Sequence, residues 1–209
     1  RPRLKALALP ALVLYGTEDL LFPKAYASNL AEALRARLEA LPAGHAAPIE
    51  APSPSPGPSA PFWRRCMLSY LEAGSGTPVA LVHGNFACKE WWRSLLEDPP
   101  PGARLLAPDL PGFGESPAPE GFVPSIPAYA QALRDFLRAV GAEEAVLVGH
   151  SLGGAVATEA AEERTRGLVL LNAAPPSGLP TPEAYYPVLE SYRQDRKALE
   201  RALEAMAPT

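Results

Sequence analysis

Residues 144–155 read EAVLVGHSLGGA, and this stretch decides the fold. Ala145–Val148 is a short aliphatic run with the length and composition of a buried strand. It leads straight into Gly149-His150-Ser151-Leu152-Gly153, after which Gly154-Ala155-Val156-Ala157 supplies small residues that open a helix. Strand, G-x-S-x-G, helix is the context in which this motif carries chemistry. The reason is steric. A serine on a very sharp strand-to-helix turn sits in a strained backbone conformation, so the residues two positions to either side must lack side chains. Gly149 and Gly153 meet that need, and Gly154 lets the helix approach the sheet. The turn presents Ser151 Oγ above the carboxyl edge of the sheet, with a helix N-terminus behind it that favours developing negative charge. The bland alternative is a glycine-rich turn with an incidental serine.

A serine hydroxyl is a weak nucleophile; it needs a base, and the base needs an acid to orient it. Of the three histidines, His150 lies inside the turn and points away from Ser151, and His83 directly follows a strand in VHGN. His45, in LPAGHAAPIEAP, is the candidate base, and Asp19, in VLYGTED, the candidate acid. Alone, Asp19 reads as a solvated turn aspartate and His45 as an ordinary loop histidine. Each, however, follows the carboxyl end of a strand, the edge at which open α/β sheets carry their sites. The chain order is therefore Asp19, His45, Ser151.

A chain of 209 residues fits one domain with a sizeable core. The formal charge of −4, without a basic run, argues against a nucleic-acid partner. No apolar stretch approaches the length of a membrane span, and Arg1-Pro2-Arg3 opens no leader-like segment, so a cytoplasmic setting is expected. Cys66 and Cys88 lack metal-ligand spacing and read as free thiols in a reducing compartment. Abundant Ala, Leu, Pro, Glu and Arg with little Asn, Gln and Met hints at a heat-tolerant source.

In chain order, strands are expected at Ala11–Tyr15, Arg37–Leu41, Trp63–Ala73, Val79–Val82, Leu105–Ala107 and Gly167–Leu171, with Gly74–Pro78 as a turn. Helical spacing covers Lys24–Leu34 and Ala87–Leu96, the latter placing Trp91, Trp92, Leu95 and Leu96 on a core face. Ser125 can cap a helix with the stripe Ile126, Tyr129, Ala130, Leu133, Phe136, Leu137, Val140. The helix after Ser151 should run to about Glu163, and Thr181–Met206 reads as a charged helical tail with exposed-looking Tyr185, Tyr186 and Tyr192. Ala51–Pro61, APSPSPGPSAP, is an extended Pro/Ser linker that could bridge roughly 35 Å. Strands alternating with helices, several of them wholly apolar, give an α/β protein whose mainly parallel sheet is covered on both faces.

VHGN at Val82–Asn85, DLPGFGES at Asp109–Ser116 and GHSLGG at Gly149–Gly154 follow one another with the order and spacing of the α/β-hydrolase family, which the chain resembles from Leu71 to about Ser177. The opening segment resembles the end of such a chain: LPALVLYGTED and LPAGHAAPIEAP look like the strand-plus-acid and strand-plus-histidine pieces that usually close it. The family's order is Ser, acid, His. The sequence thus resembles a circularly permuted α/β-hydrolase. Residues 1–50 correspond to the closing part of the core, 51–61 to a linker joining the old ends, 62–178 to the opening part and 179–209 to a partial cap, all within one structural domain.

The resemblance implies a serine hydrolase of the carboxylesterase type. Ser151 would attack an acyl carbonyl, His45 would take its proton, and Asp19 would fix the imidazole tautomer. Backbone N–H groups of Leu152 and Asn85 would hold the oxyanion, with Phe86 the other candidate beside Asn85. His83 is expected to orient its loop and Asp109 to pin a turn. Asn172 stands where some relatives carry the acid. Cys88 lies near the oxyanion corner without a turn to activate it. HGN also resembles haloalkane dehalogenases, in which the Asn binds halide; their nucleophile is an aspartate, so Ser151 favours an ester or related acyl substrate. No cofactor or metal is implied. The expected partner is a small-molecule substrate, with the chain a monomer or a swapped homodimer sharing its triad. The competing class is a non-catalytic or engineered hydrolase scaffold, or a ligand-binding module.

Overall fold

The structure is a computed structural model that describes residues 9–17, 24–41, 68–177 and 183–206. Asp19, His45, Cys66, the linker 51–61 and the first part of the strand expected from Trp63 lie outside the described residues. The first elements are strand β1 (Ala11–Gly16), helix α1 (Lys24–Leu34), and strands β2 (Arg37–Leu41), β3 (Tyr70–Gly74) and β4 (Thr77–Val82). A 3₁₀ turn (Lys89–Trp92) then runs into α2 (Arg93–Glu97), followed by β5 (Ala103–Pro108), α3 (Ile126–Ala139), β6 (Val146–His150), α4 (Leu152–Ala160) and β7 (Gly167–Leu171). A second 3₁₀ turn (Glu183–Tyr185) leads into α5 (Tyr186–Gln194) and α6 (Arg196–Met206).

The seven strands form one sheet in the order β2-β1-β7-β6-β4-β5-β3. Every neighbouring pair is parallel except β3 with β5. Six strands therefore point the same way, and their carboxyl ends line one edge. The two earliest strands occupy the places beyond β7, with Val13 opposite Leu170 and Leu38 opposite Val13.

Alternation along the strands sorts their side chains between two layers. Val13, Ala80, Val82, Leu106, Leu147, Leu168 and Leu170 face a core closed by Leu30 and Leu34 of α1, Leu133 and Phe136 of α3, and Val156 and Ala157 of α4. Leu81, Leu105 and Ala107 face the other way, against Trp92. Helices thus flank both faces, as expected, but unevenly. The second layer centres on β4 and β5, and Leu12, Leu14 and Val169 farther along stay half-buried.

Several boundaries differ from the sequence reading for identifiable reasons. The strand expected to end at Ala73 starts at Tyr70 and continues to Gly74, whose partner is Arg104. The turn narrows to Ser75-Gly76, and Thr77 and Pro78 join β4. Thr77 donates to Gly102 O at 2.8 Å, so Pro78 faces the opposite side, where pairing with β6 begins only at Val79. A missing donor there costs no ladder bond. Helix α4 stops at Ala160 rather than near Glu163. Ala161 is extended, and Glu162 and Thr165 close a turn in which the Glu162 N–H donates to Thr165 Oγ1 at 2.9 Å. Residues 89–97 are a 3₁₀ turn followed by a short helix, which leaves Leu95 exposed while Trp92 is buried. The tail breaks at Asp195, whose carboxylate accepts N–H bonds from Lys197 and Ala198 and so caps α6. Tyr185 and Tyr186 are exposed, as read; Tyr192 is half-buried, edge-on to Phe86 with ring centroids 6.5 Å apart.

The stripe on α3 is buried from Tyr129 to Leu137, with Ile126 and Val140 at its ends half-buried, and Ser125 Oγ accepts the Ala128 N–H at 3.3 Å. Ser125→Ala should lower unfolding free energy by about 1 kcal/mol, readable as a shift in the urea midpoint without a change in slope.

Candidate active site

Strand β6 ends and α4 begins around a single residue, Ser151, at φ +52° and ψ −119°. A non-glycine residue in that conformation costs on the order of 1–3 kcal/mol and persists only where its surroundings over-determine it. Here they do. The Ser151 N–H donates to Leu171 O at 3.1 Å, and Ser151 O accepts from Gly154 N–H and Ala174 N–H, both at 2.9 Å. The glycines are required by space. A Cβ on Gly149 would lie 2.4 Å from Gly153 O, one on Gly153 would lie 2.2 Å from Val82 O, and one on Gly154 would lie 2.3 Å from Ala173 Cβ. Gly153→Ala should therefore be destabilising by several kcal/mol, on the order of 3 or more, and reduce the soluble yield relative to Ser125→Ala in parallel expression.

The loop after β4 passes directly over this turn. A Cβ on Gly84 would come within 3.0 Å of both Ser151 Cβ and His150 Nδ1. Asn85 and Phe86 follow in an exposed turn, Phe86 at φ +59°. Leu152 is the first residue of α4, where backbone N–H groups have no partner inside the helix. Ser151 itself is buried. Of the residues read from the sequence, the structure thus gathers Ser151, Leu152 and the Asn85–Phe86 turn at one edge. Asp19 and His45 are outside the described residues, but β1 and β2 deliver the chain to the same edge: Thr17 N–H donates to Leu41 O at 2.8 Å.

Asn172 is buried at φ +42° between β7 and β1. Its N–H donates to Leu14 O at 2.9 Å, and its Oδ1 accepts the Gly16 N–H at 2.7 Å. The side chain is a tie between strand ends.

His83 is fully buried and spans two loops. Leu110 N–H donates to Nε2 at 3.0 Å, so the ring proton lies on Nδ1 and is donated to Gly84 O at 2.8 Å. Burial pushes the imidazole below its ordinary value of 6.5, partly opposed by the Gly84 bond and the nearby Asp109 charge. This is a neutral orienting histidine. The unfolded chain takes up the proton first as pH falls, so the contribution of His83 to stability is intact above pH 6.5 and declines below it, by up to about 1.4 kcal/mol per pH unit. Thermal melts from pH 7.5 down to 5 should fall more steeply for the wild type than for His83→Gln, the range being set around the imidazole's ordinary value.

Asp109, also fully buried, pins the turn Asp109–Ser116. Its Oδ2 accepts the Glu115 N–H at 2.9 Å, and a Cβ on Gly114 would collide with its carboxylate. Its strongest partner was not read from the sequence. Lys89 donates its backbone N–H to Oδ1 at 2.6 Å and its ammonium to Oδ2 at 2.8 Å, with a second ammonium bond to Glu115 at 2.7 Å. Burial alone would depress the ammonium; the bonds to Asp109 and Glu115 outweigh it and hold Lys89 above its ordinary value. The Lys89 bonds in turn hold the exposed Glu115 carboxyl below the usual carboxylate range. Lysines are almost never fully buried unless paired, so nothing in KEWW announced this one. The half-buried Cys88 thiol is pushed up by burial, which leaves it a poor thiolate.

A mostly parallel α/β sheet with a serine held in a strained strand-to-helix turn, facing a glycine-bearing loop from the neighbouring strand, defines a hydrolase-type α/β protein. Residues 77–198, more than half of the chain, match the alpha/beta hydrolase fold family, and the chain belongs to it. Haloalkane dehalogenase 2 of Mycobacterium tuberculosis is 35% identical over 112 residues, 52% of this chain and 39% of the relative. The 2-hydroxy-6-oxo-2,4-heptadienoate hydrolase of Pseudomonas putida is 32% identical over 145 residues, 63% of this chain and 52% of the relative. The chain therefore spans about half the length of these relatives, or less. The fold also superposes on an esterase from Exiguobacterium antarcticum, with a TM-score of 0.54 at 24% identity over 66% of this chain and 56% of that one. Among the described residues no helix is long and apolar enough to cross a membrane.

Proposed function

We propose that this chain is a serine hydrolase acting on a carboxylic ester or related acyl substrate. The observation that carries the reading is the backbone of Ser151: a φ of +52° enforced by three glycine contacts and satisfied on both its N–H and its C=O. Strain of this kind is retained where it aims a side chain. In this reading Ser151 Oγ attacks the acyl carbon, His45 takes the proton and returns it to the leaving group, and Asp19 holds the imidazole. The tetrahedral oxyanion is held by the N–H of Leu152 and that of Asn85 or Phe86. Losing one such donor lowers turnover by roughly 10²–10³-fold. The names of the relatives, among them a dienoate hydrolase and a dehalogenase, support hydrolysis of a small molecule.

The same reading includes a permuted order of the core. The sheet order supports it, because β1 and β2, which lead toward Asp19 and His45, stand beyond β7 rather than before β3. The helices of residues 183–206, with Tyr192 against Phe86, fit a partial cap leaning toward the loop over Ser151.

An alkyl fluorophosphonate should label the wild type on Ser151, and p-nitrophenyl butyrate should be hydrolysed. Ser151→Ala should abolish labelling, and both it and His45→Ala should reduce ester turnover by about 10⁴-fold or more. Turnover unaffected by Ser151→Ala would remove the assignment.

A further inference from the structure

The loop from Gly84 to Cys88 is fastened at both of its ends to one corner, the Asp109-Leu110 turn just past β5. At its start, His83 Nε2 accepts the Leu110 N–H at 3.0 Å. At its finish, Lys89 gives Asp109 both its backbone N–H, at 2.6 Å, and its ammonium, at 2.8 Å. Asp109 and Leu110 are consecutive, so the five loop residues between the fastenings close a short ring over Ser151. The corner is itself fixed: Asp109 N–H donates to Ser69 O at 2.8 Å, and Ser69 N–H donates to Ser116 Oγ at 2.8 Å. Two residues past Lys89, the Trp91 ring stacks on His150 at 5.2 Å and 17°, immediately before Ser151. Lys89 thus sits between the loop and the indole that touches the turn.

We propose that Lys89 is a positioning residue: paired with Asp109, it sets the place of the Gly84–Cys88 loop and of Trp91 relative to Ser151. What that placement achieves in catalysis rests on the serine-hydrolase reading, because Asn85 and Phe86, the candidate oxyanion donors, lie inside the ring. Glycine at position 84 keeps the backbone against Ser151 Cβ, but it supplies no side chain to hold itself there. The holding comes from the two ends, and only the Lys89 end carries a full ion pair. An ammonium with 7% side-chain exposure on a carboxylate with none is a stiff fastening, since each partner left alone would be a buried charge. The second bond, to the largely exposed Glu115, ties the ammonium without burying another charge.

Lys89→Met leaves Asp109 buried without its cation and is expected to unfold readily, so the informative variant is Lys89→Met with Asp109→Asn. It removes both charges and keeps an amide oxygen that can still accept the Lys89 backbone N–H, while the bond from the Glu115 N–H is given up. The double variant should recover part of the melting temperature lost in Lys89→Met, because no buried charge is left unpaired. Two readouts then separate positioning from mere stability. Amide hydrogen exchange of residues 84–88 should quicken by about tenfold or more while β4 and β6 keep their protection. Turnover of p-nitrophenyl butyrate should fall roughly 10–100-fold with KM changed less than about twofold, the pattern of a misplaced donor. Ser125→Ala, which lowers stability at the N-cap of α3, should leave the rate constant unchanged. Unchanged exchange in residues 84–88, or turnover that returns together with the melting temperature, would overturn the proposal. A wild type that neither labels with the fluorophosphonate nor cleaves the ester would instead overturn the hydrolase reading, and the exchange measurement would still decide the fastening.

Discussion

Everything at the carboxyl edge depends on how closely three stretches of backbone approach around Ser151. The end of β6, the first turn of α4 and the end of β4 meet at distances that exclude even a methyl group at Gly149 and Gly153. That contact is what makes the turn sharp, and the sharp turn is what lifts Ser151 into its positive-φ conformation. The conformational cost of about 1–3 kcal/mol is offset by the hydrogen bonds on both sides of Ser151 and by the helix packing that Gly154 permits. Relaxing any one of the three approaches would let the serine fall back into an ordinary conformation and lower its hydroxyl toward the sheet.

Around this constraint the molecule uses buried polar groups as fasteners. His83, Asp109, Lys89 and Asn172 are all buried, and each joins loops or strand ends that are distant in sequence. Their bonds are to backbone or to a paired charge, which is how a low-dielectric interior tolerates polar side chains. Apolar packing would fill the same space but would not fix the direction of a carbonyl or an N–H. The edge that carries the candidate chemistry is therefore specified by hydrogen bonds, while the layers beneath it are specified by Leu, Val and Ala.

Much of this was legible in the sequence because it is written locally. The run before Gly149, the spacing of the glycines and the Ser125-capped stripe each follow from rules that span a few residues, and β6, the turn at Ser151 and α3 form there. The same is true of α1 and β2, whose bounds agree residue for residue with the pattern. What escaped the sequence is long-range or compensatory. Lys89 is buried because Asp109, twenty residues on, neutralises it, and a single-residue propensity cannot see that partner. Pro78 joins a strand because the neighbour on its bare side has not yet begun. Tyr192 is half-buried because Phe86, distant in sequence, packs edge-on to it. Asp19 and His45, the two members of the candidate triad read from strand ends, lie outside the described residues, and their roles rest on the position of the strands that precede them.

The order of strands also dictates how this chain can assemble. Strands β1 and β2 precede all the others, yet β1 pairs with β7, so that Gly16 meets a partner 156 residues later. This parallel pair with its intervening helix is synthesised before the strand β7 on which it docks. Until β7 is made, the flank of β1 that will join it is an unpaired edge of the kind that recruits other chains. Of the strand pairings among the described residues, the contact of β1 with β7 closes the longest loop and so carries the largest loop-closure entropy, and it belongs to the slow, non-local class. The central strands β4, β5, β6 and β7 follow one another in the chain and pair among themselves, so that part of the sheet needs neither β1 nor β2. Among the described strands, the two that stand first in the chain thus complete the sheet only after β7, the strand with which β1 pairs, has been made.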